Sequence, residues 1–133
     1  MYGDILVPTD GRENTERAIE EAIGLANAHD ATLHVLYVIN SATLAPGIDF
    51  EDLRSIGQQA VDHVAERATA AGVETVETTV THGLRHQAIL AYADEHGIEL
   101  IVMGRHRRLE RLFRGGVSDR VSDESSVPVL VVE

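Results

Sequence analysis

The segment Ile5-Leu6-Val7-Pro8-Thr9-Asp10-Gly11 begins a strand–helix–strand unit from which the architecture of the chain follows. Its apolar run predicts a strand that ends at Pro8, because proline has no N–H to donate to a sheet. The polar residues that follow are typical of a turn. From 15 to 29, apolar residues recur at helical spacing, with charged residues on the opposite side. Residues 31–39 are densely apolar, which indicates a strand that is covered on both faces.

The same alternation continues to the end of the chain. Gly72 and Gly97 each follow a helical pattern and are interpreted as helix C-caps. The remaining elements are predicted as helices over 51–71, from after Gly83 to near Gly97, and over 117–124, and as strands over 74–81, 100–103 and 127–132. Strands that alternate with helices predict an α/β fold with a parallel, doubly wound sheet. We expect one domain over residues 1–133.

Composition narrows the class of protein. A chain of 133 residues with 44% hydrophobic residues is long and apolar enough to form a core. It contains no cysteine, which excludes disulfides, thiolate zinc sites and cysteine nucleophiles. Its apolar runs are far shorter than the roughly 20 residues that span a bilayer. The N-terminus has no basic region and leads directly into a strand, so no signal peptide is expected. A cytoplasmic protein without membrane contact is the simplest interpretation.

The charge of the chain is strongly acidic. Asp and Glu number 22 against 11 cationic residues, all arginine, for a formal charge of −11. Such a protein repels phosphate backbones, so nucleic acid is not an expected partner. The composition is similar to that of proteins from halophilic archaea, whose acidic surfaces keep them in solution in brine. An ordinary acidic bacterial protein that lacks lysine is the alternative.

The arginines are concentrated in one segment. Five of the 11 lie between Arg105 and Arg114, and glycines border the segment on both sides. A positive segment between a strand and a helix favours a bound anion, with phosphate as the first candidate. The alternative is a solvated surface that forms salt bridges, because Leu109, Leu112 and Phe113 give the segment an apolar side of helical spacing.

The chain resembles the universal stress protein family along essentially its whole length. The likeness rests on the opening strand and turn quoted above and on four later segments in register: Leu33–Val38, His82-Gly83 with His86, Ile101–Gly104 and Val127–Val132. The resemblance implies a five-stranded parallel sheet of order 3-2-1-4-5 with helices on both faces, like the adenine nucleotide α-hydrolases. It also implies a homodimer in which the last strand pairs with its copy. Many members bind ATP in a crevice at the carboxyl ends of strands 1 and 4, and others bind no nucleotide.

The resemblance, carried over position by position, implies an adenosine side and a phosphate side of that crevice. Asp10 would accept hydrogen bonds from ribose or adenine, and Val38 would pack on the base beside Pro8 and Thr9. The phosphate side would consist of Met103, Gly104, Gly115, Gly116, Val117 and Ser118. The implied cofactor is ATP, with ADP and AMP as alternatives, and Mg²⁺ would accompany ATP.

The phosphate segment departs from the family's ATP-binding pattern. Arg107 stands where the second glycine belongs, the spacing from Arg107 to Gly115 is shortened, and Gly116 takes the place of the usual serine. Glycine permits positive φ and lets the backbone approach a ligand closely. An arginine at position 107 can do either only at a cost in free energy. Arg105, Arg107 and Arg108 are therefore candidate clamps that would hold phosphate with charge instead.

Two catalytic interpretations have little support in the sequence. His82 and His86 are four residues apart, but a metal site needs more ligands in register. Ser118 and His106 lack the orienting acid that a nucleophile and base require. We therefore expect a non-enzymatic stress-response homodimer that binds an adenine nucleotide. The alternatives are a nucleotide-free dimer that acts through unknown protein partners and, last, a slow ATP hydrolase.

Overall fold

The computed structural model describes residues 1–10, 15–41, 46–105 and 116–133. Within these ranges strands and helices alternate as predicted. In chain order they are β1 Asp4–Thr9, α1 Glu16–His29, β2 Thr32–Asn40, α2 Phe50–Ala70, β3 Val76–Gly83, α3 Arg85–Glu95, β4 Leu100–Gly104, α4 Val117–Glu124 and β5 Val129–Val132.

The strands form one parallel sheet with the order β3-β2-β1-β4-β5, which confirms the predicted topology. The chain first builds outward from β1 through β2 to β3, and then crosses back to place β4 and β5 on the other side of β1. Helices α1 and α2 therefore cover one face of the sheet, and α3 and α4 cover the other. Parallel sheets of this kind leave a crevice at the carboxyl ends of the strands where the order reverses.

The apolar core lies in two layers, one on each face of the sheet. In β1, Ile5 and Val7 belong to the layer under α1 and α2, whereas Leu6 belongs to the layer under α3 and α4. All three side chains are fully buried. Each Å² of apolar surface that is buried stabilises the folded state by about 25 cal/mol, so these layers contribute most to the stability of the fold. This two-sided burial explains why the strands are apolar runs without strict alternation.

The two glycines predicted as helix C-caps each lie one residue beyond the C-cap, which is Ala71 for α2 and His96 for α3. Gly72, just after α2, has φ +107°, and Gly97, two residues beyond α3, has φ +61°. Both values lie in the left-handed region, which glycine adopts without a Cβ penalty. The chain can therefore turn sharply from each helix into the strand that follows.

The last strand is shorter than predicted, since it begins at Val129 instead of Val127. The backbone N–H of Val127 donates to the Ser125 hydroxyl at 3.0 Å, and that hydroxyl donates to the Val127 carbonyl at 2.8 Å. These two bonds hold Val127 in a turn. Pro128 has no N–H, but its carbonyl accepts a hydrogen bond from Ile101 at 3.0 Å, so the ladder to β4 starts there.

A polar cluster lies in the core near the amino ends of β1 and β2. The buried His34 ring lies with Nδ1 2.8 Å from the Tyr92 hydroxyl and Nε2 2.9 Å from Asp4 Oδ1. The Tyr92 ring in turn stacks on His96, with ring centroids 3.8 Å apart. Burial of the phenol, together with the charges of Glu77 and Asp4, raises the pKa of Tyr92, while a hydrogen bond with Thr79 opposes the shift.

Candidate functional site

A cavity of about 130 Å³ opens where β1 and β4 end; we call it the β1–β4 cavity. Strands β1 and β4 pair through Leu6 and Ile101, and α1 packs on one face of the sheet whereas α4 packs on the other. The cavity therefore occupies the switch point that the topology predicts. The residues that line it are Pro8, Thr9, Asp10, Thr15, Val38, Arg85, Ile89, Met103, Gly104 and Val117.

One wall of the β1–β4 cavity is apolar. It consists of Val38 from β2, Ile89 from α3 and Met103 from β4. Their side chains are 7%, 2% and 5% exposed, respectively, and belong to the core layer under α3 and α4. A wall of this kind, fixed by three elements, is suited to a flat apolar group such as a purine base.

The polar part of the cavity lining comes from the end of β1 and the start of α1. The Thr9 and Thr15 hydroxyl oxygens lie 3.4 Å apart and are buried, which ties the end of β1 to the residue before α1. Asp10 follows β1 directly and is half-buried. A carboxylate in this position accepts hydrogen bonds from hydroxyl or amino groups of a ligand. Pro8, Thr9, Asp10 and Val38 are thus brought together around one cavity.

The residues expected on the phosphate side are only partly brought together. Met103, Gly104 and Val117 line the β1–β4 cavity. Gly116 lies before α4 as its N-cap and lines a neighbouring cavity. Ser118 is 2% exposed and lines neither of these two cavities.

The candidate clamp Arg105 lies apart from both cavities. Its Nη1 atom is 4.0 Å from Glu133 Oε1, and its backbone N–H donates to the Val132 carbonyl at 2.9 Å. These contacts place it beside the end of β5. Arg107, Arg108 and Gly115, together with His106, lie outside the described residues.

The neighbouring cavity has a volume of about 250 Å³ and lies between the starts of α3 and α4; we call it the α3–α4 cavity. Arg85 and Val117 line both cavities, so the two adjoin. The residues that line the α3–α4 cavity are Asn40, Leu84, Arg85, His86, Gly116, Val117 and Arg120.

Sequence reasoning missed Thr15, Arg85 and Ile89 as residues of the site. Ile89 was visible only as an apolar position of a helix. Arg85 follows the carboxyl end of β3 by two residues. Since all parallel strands end at the same edge of the sheet, a cation at the start of the next helix was a usable signal for the site.

The two histidines considered as metal ligands have different partners. The His82 ring meets the Phe50 ring edge-on with centroids 5.5 Å apart, whereas His86 Nε2 lies 3.9 Å from Glu124 Oε2. Among the residues that the structure describes, no three His, Asp or Glu side chains are grouped as a metal ion would require. None of the described helices combines the length and apolar character needed to cross a membrane.

Comparison with known proteins gives relatives over the whole chain. The sequence model of the universal stress protein family matches residues 1–133. A universal stress protein of Methanocaldococcus jannaschii is 32% identical over 143 positions, covering 100% of this chain and 83% of that protein. A universal stress protein solved in complex with cAMP has a TM-score of 0.83 at 24% identity, covering 99% of this chain and 97% of that one. The Archaeoglobus fulgidus universal stress protein in complex with dAMP has a TM-score of 0.73 at 19% identity, covering 99% of this chain and 98% of that one.

Proposed function

Because this chain belongs to the universal stress protein family, we propose that it binds an adenine nucleotide in the β1–β4 cavity. The protein acts as a cytoplasmic regulatory homodimer in the stress response, with the nucleotide as a signal or stabiliser and without fast turnover. The observation that carries this proposal is one cavity at the switch point that is lined both by Asp10 and by the apolar residues Val38, Ile89 and Met103.

The chemistry of the cavity favours a nucleoside. The apolar wall removes the faces of a base from water, and the Asp10 carboxylate in the same lining accepts hydrogen bonds from ribose hydroxyls or the adenine amino group. Gly104 at the end of β4 lets a ligand approach the backbone closely. These features together select a ligand with one flat apolar part and one hydroxyl-rich part.

Two structural neighbours support an adenine ligand. The proteins solved with cAMP and with dAMP both hold an adenine base joined to a sugar that bears one phosphate. ATP remains the first candidate for this chain, with ADP and AMP as alternatives. Mg²⁺ would enter with ATP, bound mainly through phosphate oxygens, because this ion keeps several waters and is often shared with substrate phosphates.

The exposed edge of the sheet supports a homodimer. Strand β5 is the last in the sheet order and pairs with β4 on one side. Its Leu130 side chain is 38% exposed. An apolar edge strand invites pairing with another chain, and pairing with its own copy across a two-fold axis would cover both edges. Protein partners would then bind other surfaces of the dimer.

One feature of the sequence favours the alternative of a nucleotide-free dimer that acts through protein partners. Arg107 replaces a glycine of the family's ATP pattern in a shortened segment. If nucleotide binding depended on that segment alone, the change would abolish it. The alternative therefore predicts that the folded protein captures partners but takes up no adenine nucleotide.

The experiment that tests the proposal compares two aspartate variants. Asp10→Ala removes the carboxylate at the cavity, and Asp62→Ala removes an exposed carboxylate on α2, on the other face of the sheet. Loss of hydrogen bonds to a charged group lowers affinity about 10- to 100-fold, so we expect this fall in ATP binding for Asp10→Ala. Calorimetry should find Asp62→Ala unchanged. An Asp10→Ala protein with full ATP affinity would refute the assignment.

A further inference from the structure

Two arginines face the α3–α4 cavity from different helices. Arg85 is the first residue of α3 and is half-buried, and Arg120 lies in the first turn of α4 and is exposed. Arg85 also lines the β1–β4 cavity. A ligand that extends from the β1–β4 cavity into the α3–α4 cavity therefore passes the Arg85 side chain.

In the part of the chain that the structure describes, these guanidinium groups form no ion pair. Within the described ranges, neither Arg85 nor Arg120 has a carboxylate within salt-bridge distance. Arg67, by contrast, binds Glu16 at 2.6 Å. Carboxylates outnumber cations by 22 to 11 in this chain, so two arginines beside one cavity, neither of them paired with a described carboxylate, favour an anionic ligand.

One histidine and two helix starts complete the lining of the cavity. His86 lines it, with Nε2 3.9 Å from Glu124 Oε2. Helices α3 and α4 both begin at the cavity, with Leu84 and Gly116 as N-caps, and neither cap makes a side-chain hydrogen bond. Their first backbone N–H groups add partial positive charge to that of the arginines.

We propose that the α3–α4 cavity is a phosphate subsite, in which Arg85 and Arg120 bind the phosphate of an adenine mononucleotide. The inference rests on the proposed function, since the adenosine part must occupy the β1–β4 cavity for its phosphate to reach Arg85. Guanidinium groups bind phosphate oxygens through paired, charge-assisted hydrogen bonds. The chain thus holds a phosphate through side chains of α3 and α4, without the glycine that Arg107 replaces.

The test compares AMP with adenosine, two probes that differ by the phosphate. Calorimetric titrations use the nucleotide-stripped wild-type protein, Arg85→Gln, Arg120→Gln and the control Arg54→Gln, which changes an exposed arginine on α2. We expect the wild type and the control to bind AMP more tightly than adenosine. Each of the two cavity variants should lower this preference about ten-fold, which reflects loss of a charge-assisted contact. Thermal unfolding checks that each variant is folded.

The outcomes separate this inference from the function on which it rests. If Arg85→Gln and Arg120→Gln bind AMP and adenosine in the wild-type ratio, the phosphate subsite is wrong and adenine binding stands. If the folded wild type binds neither probe, both the subsite and the proposed function are wrong. If one cavity variant fails to fold, the other decides, because Arg120 is exposed and its replacement removes no core contact.

Discussion

Replacement of two helical glycines by alanine tests how closely α2 lies on the sheet that positions the site. A Cβ atom at Gly57 in α2 would lie 2.7 Å from Tyr37 Cδ1 and 3.0 Å from Val80 Cγ1. A Cβ atom at Gly24 in α1 would have nothing within 4 Å. Neither glycine has positive φ, so alanine fits the backbone at both positions. The pair therefore separates helix propensity from packing.

The expected magnitudes follow from these distances. Alanine is favoured over glycine in a helix interior by about 0.8–1.0 kcal/mol, so Gly24→Ala should stabilise the protein by roughly that amount. At Gly57 the new methyl group overlaps the Tyr37 ring, which must move or push α2 away from β2 and β3. Overpacking of this kind costs about 1–3 kcal/mol and outweighs the gain in propensity. We expect Gly57→Ala to be less stable than Gly24→Ala by about 1–3 kcal/mol.

Urea unfolding followed by circular dichroism measures both variants against the wild type. The free energy of unfolding should rise for Gly24→Ala and fall for Gly57→Ala, with equal slopes if the denatured state is unchanged. If Gly57→Ala were as stable as Gly24→Ala, α2 would not lie in close contact with Tyr37 and Val80. The described packing of α2 on the sheet would then be wrong.

Two further predictions concern the buried polar cluster and the sheet edge. Tyr92→Phe should lower the free energy of unfolding by about 1 kcal/mol at neutral pH, because His34 Nδ1 loses its hydroxyl partner. The pKa of Tyr92 is raised above 10.0, so the neutral phenol stabilises the fold fully below pH 10 and this contribution is lost as the pH rises through the raised pKa. Thermal unfolding from pH 7 to pH 11 should therefore show the two proteins converging at alkaline pH; a constant difference would contradict it. Val131→Glu should yield monomers by sedimentation velocity while Ile56→Glu on exposed α2 surface does not, and an unchanged profile for Val131→Glu would argue against pairing through β5.

The fold could be predicted because its signals are local and repeated. Apolar runs such as residues 5–7 indicate strands buried on both faces, and helical spacing between them leaves few topologies for a parallel sheet. The start of β5 was predicted two residues too early because Val127 is as apolar as the strand that follows. Only the hydrogen bonds between Ser125 and Val127 show that it lies in a turn.

The site was predictable where it depends on strand ends. Pro8, Thr9, Asp10 and Met103 meet at one cavity because the ends of β1 and β4 are neighbours in the sheet. Arg85 had a weaker signal of the same kind: its place just after β3 indicates the same edge of the sheet, but β3 is not a neighbour of β1, so spacing alone did not assign it to this cavity. The direction of a helical side chain changes by about 100° per residue, so a motif alone did not fix whether Ser118 faces a ligand or the interior.

Titration of Mg-ATP into the folded, nucleotide-stripped protein shows whether the chain binds an adenine nucleotide at all. Calorimetry in concentrated KCl would suit an acidic chain whose charges repel one another at low salt. We expect saturable binding with a dissociation constant in the micromolar range and about one site per chain. A flat titration from protein that circular dichroism shows to be folded would contradict nucleotide binding and favour a dimer that acts through protein partners.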